Sequence, residues 1–420
     1  PTLANMNNIK HNNAFTYQNR ALKILVVPLS WQSDPNILTT TKQTQWNTQK
    51  TYIEQFFNDN SWGKFNVGIT FTNEYRSTQI QSSWDEGTKL NRGTAEACRY
   101  AEKNYGYTFC NGVCGDSTRP DRVRIDSNHF DFAMTVVNEQ SNFYGGWGGK
   151  AVTGGTRSWI KSEWFTSYIV SHELGHNLGF RHGYNNKYQR MQLTTTNIGS
   201  ALDGEMVMSG GGSVKDEESR YYKNGHFGPC GKNYYGWIQD GTHVIEITPN
   251  NNKRGTYILN AFDRPDIIPD DSTTIASTNS NIFAIKIPID PQSEWYKGVL
   301  NNYIYLYYRT SYDLEDSGLT IQYCELSKQY ENPSDAGAFI QEYRYDVHSD
   351  TFGEADKYLM PQDGSYVIQP FIWNMEDNTP STINPYALKN LILPNITVNR
   401  LGDWSKCTHP QPIWYEYWYD

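Results

Sequence analysis

Residues 169–184, I-V-S-H-E-L-G-H-N-L-G-F-R-H-G-Y, constrain this chain more than any other stretch. His172 and His176 stand four residues apart. On an α-helix that spacing stacks two side chains on one face, one turn above the other. Two imidazoles so placed supply two corners of a tetrahedral zinc site. Glu173 follows the first His and points sideways, toward a water beside the metal rather than at the ion. Gly179, three residues after the second His, takes positive φ, which ends the helix and turns the chain. That turn lets His182 approach the same ion as a third ligand. Three neutral nitrogens leave a fourth position open, the mark of a catalytic rather than a structural zinc site. With nine His in 420 residues, these five fixed positions arise by chance in roughly one such chain in 10^5.

Composition narrows the setting. A chain of this length has room for two or three domains. Hydrophobic residues at 37 % and aromatics at 15 % suffice for real cores and exclude global disorder. A net charge of −9 argues against nucleic acid or an anionic membrane as partner. No apolar run reaches the length of a membrane span; the longest, 24–29, is broken by Pro28. The chain starts at Pro1 without a signal-like segment, so either a leader and propeptide have been removed or it has been trimmed. Six cysteines (Cys98, Cys110, Cys114, Cys230, Cys324, Cys407) form an even set. They favour an oxidising compartment and up to three disulfides, with a local disulfide region formed by Cys110, Cys114 and Cys98. Asn395-Ile-Thr is an N-glycosylation sequon. Together these features predict a secreted, extracellular protein and leave its oligomeric state open.

Hydrophobic periodicity orders the rest. Residues 1–20 are polar and Asn-rich and read as a surface arm. A buried strand is predicted over 21–31, a helix over 39–60, an alternating strand over 65–75, a helix over 87–106 and a strand over 130–137. A helix-bearing sheet of this kind that leads into the histidine helix makes an α/β catalytic half. The glycine-dense run 143–155, F-Y-G-G-W-G-G-K-A-V-T-G-G, lies just before that helix. Its glycines let another backbone come close, and an exposed edge strand there can pair with an extended peptide. Gly148, Val152, Gly154 and Gly155 are the candidate substrate-strand residues. Past Trp237 short alternating segments separated by Asn, Asp, Pro, Gly and Ser clusters predict an all-β, sandwich-like domain from about 241 to 420. His226, His243, His348 and His409 lack partners at ligand spacing and read as surface or structural residues. The carboxylates around 263–271 and 313–316 are candidate Ca2+ ligands, although they lack the strict spacing of a calcium loop.

H-E-L-G-H-N-L-G-F-R-H resembles the extended zinc motif H-E-x-x-H-x-x-G-x-x-H of the metzincin metalloproteases. That resemblance implies a methionine turn beneath the metal, for which Met208 in V-M-S-G-G-G is the better match and Met206 the alternative. It implies an α+β catalytic domain over 21–240 with a mixed twisted sheet, its upper part reaching to about 182 and its lower part spanning 183–240. It further implies Zn2+ held by His172, His176 and His182, with Glu173 as general base, and a substrate lying antiparallel to the edge strand. The runs 145–160, V-M-S-G-G-G and 226–238 look similar to the gametolysin-type branch, whose members cut extracellular-matrix or cell-wall glycoproteins. Gly183 departs from the residue that several metzincin families place after the third His. V-M-S-G-G-G also lacks the tyrosine of astacin-like enzymes, a role for which Tyr184, Tyr221 and Tyr222 are the candidates. The expectation is a secreted zinc endopeptidase acting on an extended peptide or glycoprotein. Its rivals are a non-catalytic structural or adhesive protein on the same scaffold, and a matrix- or carbohydrate-binding protein working through the C-terminal domain.

Overall fold

The run Leu22–Trp31 forms β1, and nearly every side chain on it is buried. A strand covered on both faces reads as a continuous apolar run rather than an alternating one, which is why L-K-I-L-V-V-P-L lacks a polar face. In the computed structural model the described residues are 21–31, 36–78, 85–109, 113–114, 128–138, 147–182, 207–208, 226–247, 255–262, 267–272 and 281–288, together with six later strands. The chain is mixed α and β. Its described residues from Ala21 to Arg181 form one compact unit, and His182, Val207, Met208 and those from His226 onward a second. The proposed arm over 1–20 lies outside the described residues.

In the first unit α1 (Thr40–Asn60) follows β1. Thr39 caps it, its side chain accepting the Lys42 N–H at 3.2 Å. Trp46, Ile53, Phe56 and Phe57 are its buried hydrophobic residues. The predicted strand over 65–75 divides into β2 (Val67–Phe71) and β3 (Tyr75–Ser77). Thr72 and Asn73 break it: the Thr72 hydroxyl donates to the Asn73 carbonyl at 2.8 Å, and the Asn73 N–H donates to the Tyr105 hydroxyl at 3.0 Å. Helix α2 (Glu86–Tyr105) is capped by Asp85 and ends at Gly106, which has φ 66°. A two-stranded pair, β4 (Thr108–Phe109) and β5 (His129–Phe130), precedes β6 (Phe132–Val137). Then come β7 (Gly149–Ala151), β8 (Arg157–Lys161) and α3 (Ser167–Asn177), the histidine helix.

The main sheet runs β2-β1-β6-β8-β7, with β3 also on β1. Its pairs are parallel except β7 with β8, which is antiparallel, so the sheet is mixed and β7 stands at its edge. Parallel neighbours require crossovers, and α1 and α2 are the helices lying on those connections. Cys98, on α2, is bonded to Cys114. Closing a loop of that size restricts the unfolded chain by about 3 kcal/mol. Replacing both cysteines by alanine is therefore expected to lower the urea midpoint of this unit by a corresponding amount.

The second unit carries α4 (Pro229–Tyr234) and two sheets. One consists of β9 (Val244–Glu246), β11 (Ala284–Pro288), β12 (Val299–Arg309), β13 (Gly318–Lys328) and β14 (Ala338–Asp346), in the order β14-β13-β12-β11-β9. The other consists of β10 (Gly255–Leu259), β15 (Ser365–Ile368), β16 (Asn395–Asn399) and β17 (Ile413–Trp418), in the order β10-β17-β16-β15. All pairs but β9 with β11 are antiparallel. Cys230 of α4 is bonded to Cys324 of β13. Cys110 and Cys407 lie outside the described residues. No helix among the described residues is long and apolar enough to cross a membrane.

Candidate metal centre

The site is built on α3. The Thr166 hydroxyl accepts the Ile169 N–H at 3.3 Å, and the Ser167 N–H donates to the Gln49 side chain of α1 at 2.6 Å. Orphan donors at the helix start are thus met by side chains. His172 and His176 lie one turn apart and are both buried, with ring centroids 4.8 Å apart and planes near perpendicular. At the other end Gly179 has φ 95°. Its N–H donates to the His176 carbonyl at 2.8 Å, and the Phe180 N–H reaches back to the Gly175 carbonyl at 3.0 Å. This pair of bonds is the usual way a glycine-terminated helix closes.

The reversal brings His182 to the two helical histidines. Each offers a nitrogen, and these ligand atoms all lie within 4.8 Å of one another. Among the described residues this is the one group of three or more His, Cys, Asp or Glu side chains close enough to share an ion. The Nδ1 of His176 sits 2.7 Å from the Phe180 carbonyl, to which it donates. That bond fixes the tautomer and turns Nε2 outward as a ligand. Burial pulls the His182 pKa below its ordinary value, which favours the neutral, ligating form. Three neutral imidazoles fit a borderline-soft divalent ion such as zinc. Gly179→Ala places a side chain at positive φ and is expected to cost about 1–2 kcal/mol. A weaker grip on an added divalent metal ion in a chelator competition is the expected readout, because the same bend delivers His182.

Glu173 is 5 % exposed, and its Oε2 is buried without a hydrogen-bond partner. Burial pushes its pKa up to about 8, against an opposing pull from Lys150. A buried carboxylate oxygen without a partner, on the residue that follows the first of the clustered histidines, is not accounted for by packing alone. Edge strand β7 lies directly over it. A Cβ on Gly149 would fall 2.6 Å from Glu173 Oε1 and 2.7 Å from its Cγ, so the backbone comes this close only because residue 149 is glycine.

None of the four residues singled out for the substrate strand lies within β7 itself. Gly148 precedes it, against the Trp164 ring. Val152 follows it, and Gly154 and Gly155 form the turn to β8. Gly154 has φ 70°, and its N–H donates to the His176 carbonyl at 2.8 Å. The Asn177 amide donates to the carbonyls of Val152 and Arg157 at 3.1 and 2.9 Å. These bonds fasten the β7–β8 hairpin to the last turn of α3. On the other side Lys150 donates to Glu86 at 3.0 Å, Trp147 Nε1 donates to the same carboxylate, and the Lys150 ammonium lies 5.1 Å from the Trp147 ring centroid. Sequence reasoning passed over Gly149, Lys150 and Asn177. Adjacency to the named glycines and to the motif was the only signal they gave.

Of the remaining candidates, Met208 is buried, whereas Met206, Tyr184, Tyr221 and Tyr222 lie outside the described residues. In the acidic stretch Asp270 accepts the N–H and hydroxyl of Ser272 at 2.8 and 2.6 Å, and Asp271 lies 3.4 Å from His243. Residues 313–316, His348 and His409 are outside the described set. His243 is fully buried and its Nδ1 accepts the Gln239 N–H at 3.0 Å, a structural role. No family model matches the chain, and none of the curated proteins matches it either.

Proposed function

We propose that this chain is a secreted, zinc-dependent endopeptidase of the metzincin type, nearest to the gametolysin branch, that cuts extracellular-matrix or cell-wall (glyco)proteins. The observation that carries the reading is the convergence of His172, His176 and His182 next to a buried, orphaned Glu173. The three histidines would hold the ion. Zinc bound there supplies Lewis acidity and makes a water acidic enough to ionise near neutral pH. Glu173 takes the proton of the attacking water and hands it to the leaving amine. Its shielded position under β7 keeps that proton out of bulk solvent. Strand β7, at the sheet edge, offers backbone groups to an extended peptide, which the substrate would meet antiparallel. The two sheets of the second unit are those that a C-terminal sandwich would pack face to face. Two disulfides and the absence of a membrane-length helix among the described residues fit an extracellular setting.

Metal analysis of the purified chain, paired with cleavage of a denatured protein of mixed sequence, tests the proposal. About one zinc per chain is expected, with hydrolysis lost on chelation and restored by zinc. Bound zinc without cleavage would move the reading to a non-catalytic scaffold, and a chain that takes up no zinc would end it.

A further inference from the structure

The second unit holds a buried amine that the peptidase reading does not use. Lys286, on β11, is 2 % exposed. Its Nζ lies 3.2 Å from the Asn233 Oδ1 of α4, and 3.3 and 3.1 Å from the two carboxylate oxygens of Asp240. The Tyr305 hydroxyl donates to the same Asn233 Oδ1 at 2.9 Å. Tyr305 is the cross-strand partner of Lys286 on β12, so the register of the sheet sets the two side by side. The Tyr303 ring closes the amine from above, 4.3 Å from Nζ to its centroid. Asn233 Nδ2 donates to the Ile238 carbonyl at 3.1 Å, which holds the amide in one orientation. Glu246 faces Lys286 from β9 on the other side.

An ion pair between Lys286 and Asp240 explains two of these contacts. It does not explain why a carboxamide is aimed with its oxygen at the amine while a phenol donates to that oxygen. A nucleophile, a base within reach of its proton, and a carbonyl polarised by a fixed donor are the three parts of an acyl transfer. Short contacts that hold the reactants together replace a bimolecular encounter with an intramolecular one.

The geometry points to an intramolecular amide cross-link between the Lys286 Nζ and the Asn233 Cγ, formed by the chain itself with Asp240 as proton carrier. Asp240 takes a proton from the ammonium, and the freed amine attacks Asn233 Cγ while Tyr305 steadies the developing charge on Oδ1. The C–N bond to Nδ2 breaks as Asp240 returns that proton to the nitrogen, which leaves as ammonia. Asp240 takes the second proton of the attacking nitrogen as the new amide forms, and the departing ammonia carries it away as ammonium. One amide is exchanged for another, nothing is oxidised or reduced, and no co-reactant is needed. The product ties α4 to β11, beside the Cys230–Cys324 bond that ties the same helix to β13. Unlike that bond, it would survive a reducing environment.

The test uses the full-length chain, denatured and reduced so that disulfides do not contribute, read by intact mass and then by peptide mapping. The expected mass is lower than that of the sequence by one ammonia molecule, and the map is expected to contain a branched peptide joining the segments around Asn233 and Lys286. Lys286→Arg keeps a cation beside Asp240 and is expected to show the full sequence mass. Asp240→Ala, a change at an exposed position, is expected to do the same. A wild-type chain with linear peptides at both residues would overturn the inference. So would a mass loss mapped elsewhere, such as to a cyclised asparagine. A branched peptide persisting in Asp240→Ala would overturn the role given to Asp240.

Discussion

Glu173→Gln is expected to keep zinc in place and to lower peptide hydrolysis by ~10^2–10^4-fold, the range that a positioned general acid–base contributes. The substitution leaves the shape under β7 nearly unchanged, because an amide is close to isosteric with a carboxylate. Folding has little reason to suffer, since Glu173 Oε2 has no hydrogen-bond partner to lose. A neutral amide can even be easier to bury than a group whose ionised form is disfavoured there. The pair of readouts separates two roles. A carboxylate needed as a ligand would take the metal with it when replaced, whereas one needed as a base would leave the metal behind. Wild-type turnover in this variant would remove Glu173 from the proposed chemistry.

Gly149→Ala should be nearly as damaging, though the residue neither binds metal nor carries a proton. The added methyl would sit 2.6–2.9 Å from Oε1, Cγ and Cδ of Glu173. Two of those atoms belong to the body of the side chain, and the side chain is enclosed. Either the carboxylate swings away or β7 lifts off it. A displacement of about 1 Å in a reacting group costs on the order of 10^2-fold in rate, so a loss of that size in kcat/KM is the expected result. Zinc content should stay at the wild-type level, because the three histidines are untouched. An Ala variant with full activity would show that β7 has room to move and that the close approach is incidental.

Much of the first unit was legible because its signals are local. The apolar run of β1 and the helical spacing of Trp46, Ile53, Phe56 and Phe57 in α1 are written within a few residues of where they act. The division of β2 from β3 was not legible, because Asn73 is held by Tyr105, a residue far along the chain. In the second unit β16 and β17 carry little local signal, since a short strand among Asn- and Pro-rich segments has little periodicity of its own. The candidate site shows the same contrast. Histidine spacing and the glycine that follows it belong to helix geometry, so they could be read directly. The run 143–155 contains six glycines, and nothing local distinguishes the one that lies on Glu173 from the others. That distinction belongs to the packing of an edge strand against a helix.

The hairpin between β7 and β8 is fastened to the end of α3 by Gly154 and by both hydrogen bonds of the Asn177 amide. In the proposed enzyme the ledge that grips the polypeptide and the turn that grips the ion therefore share a single mounting. Neither has to search for the other when a substrate arrives, and a loosening of one is passed directly to its neighbour.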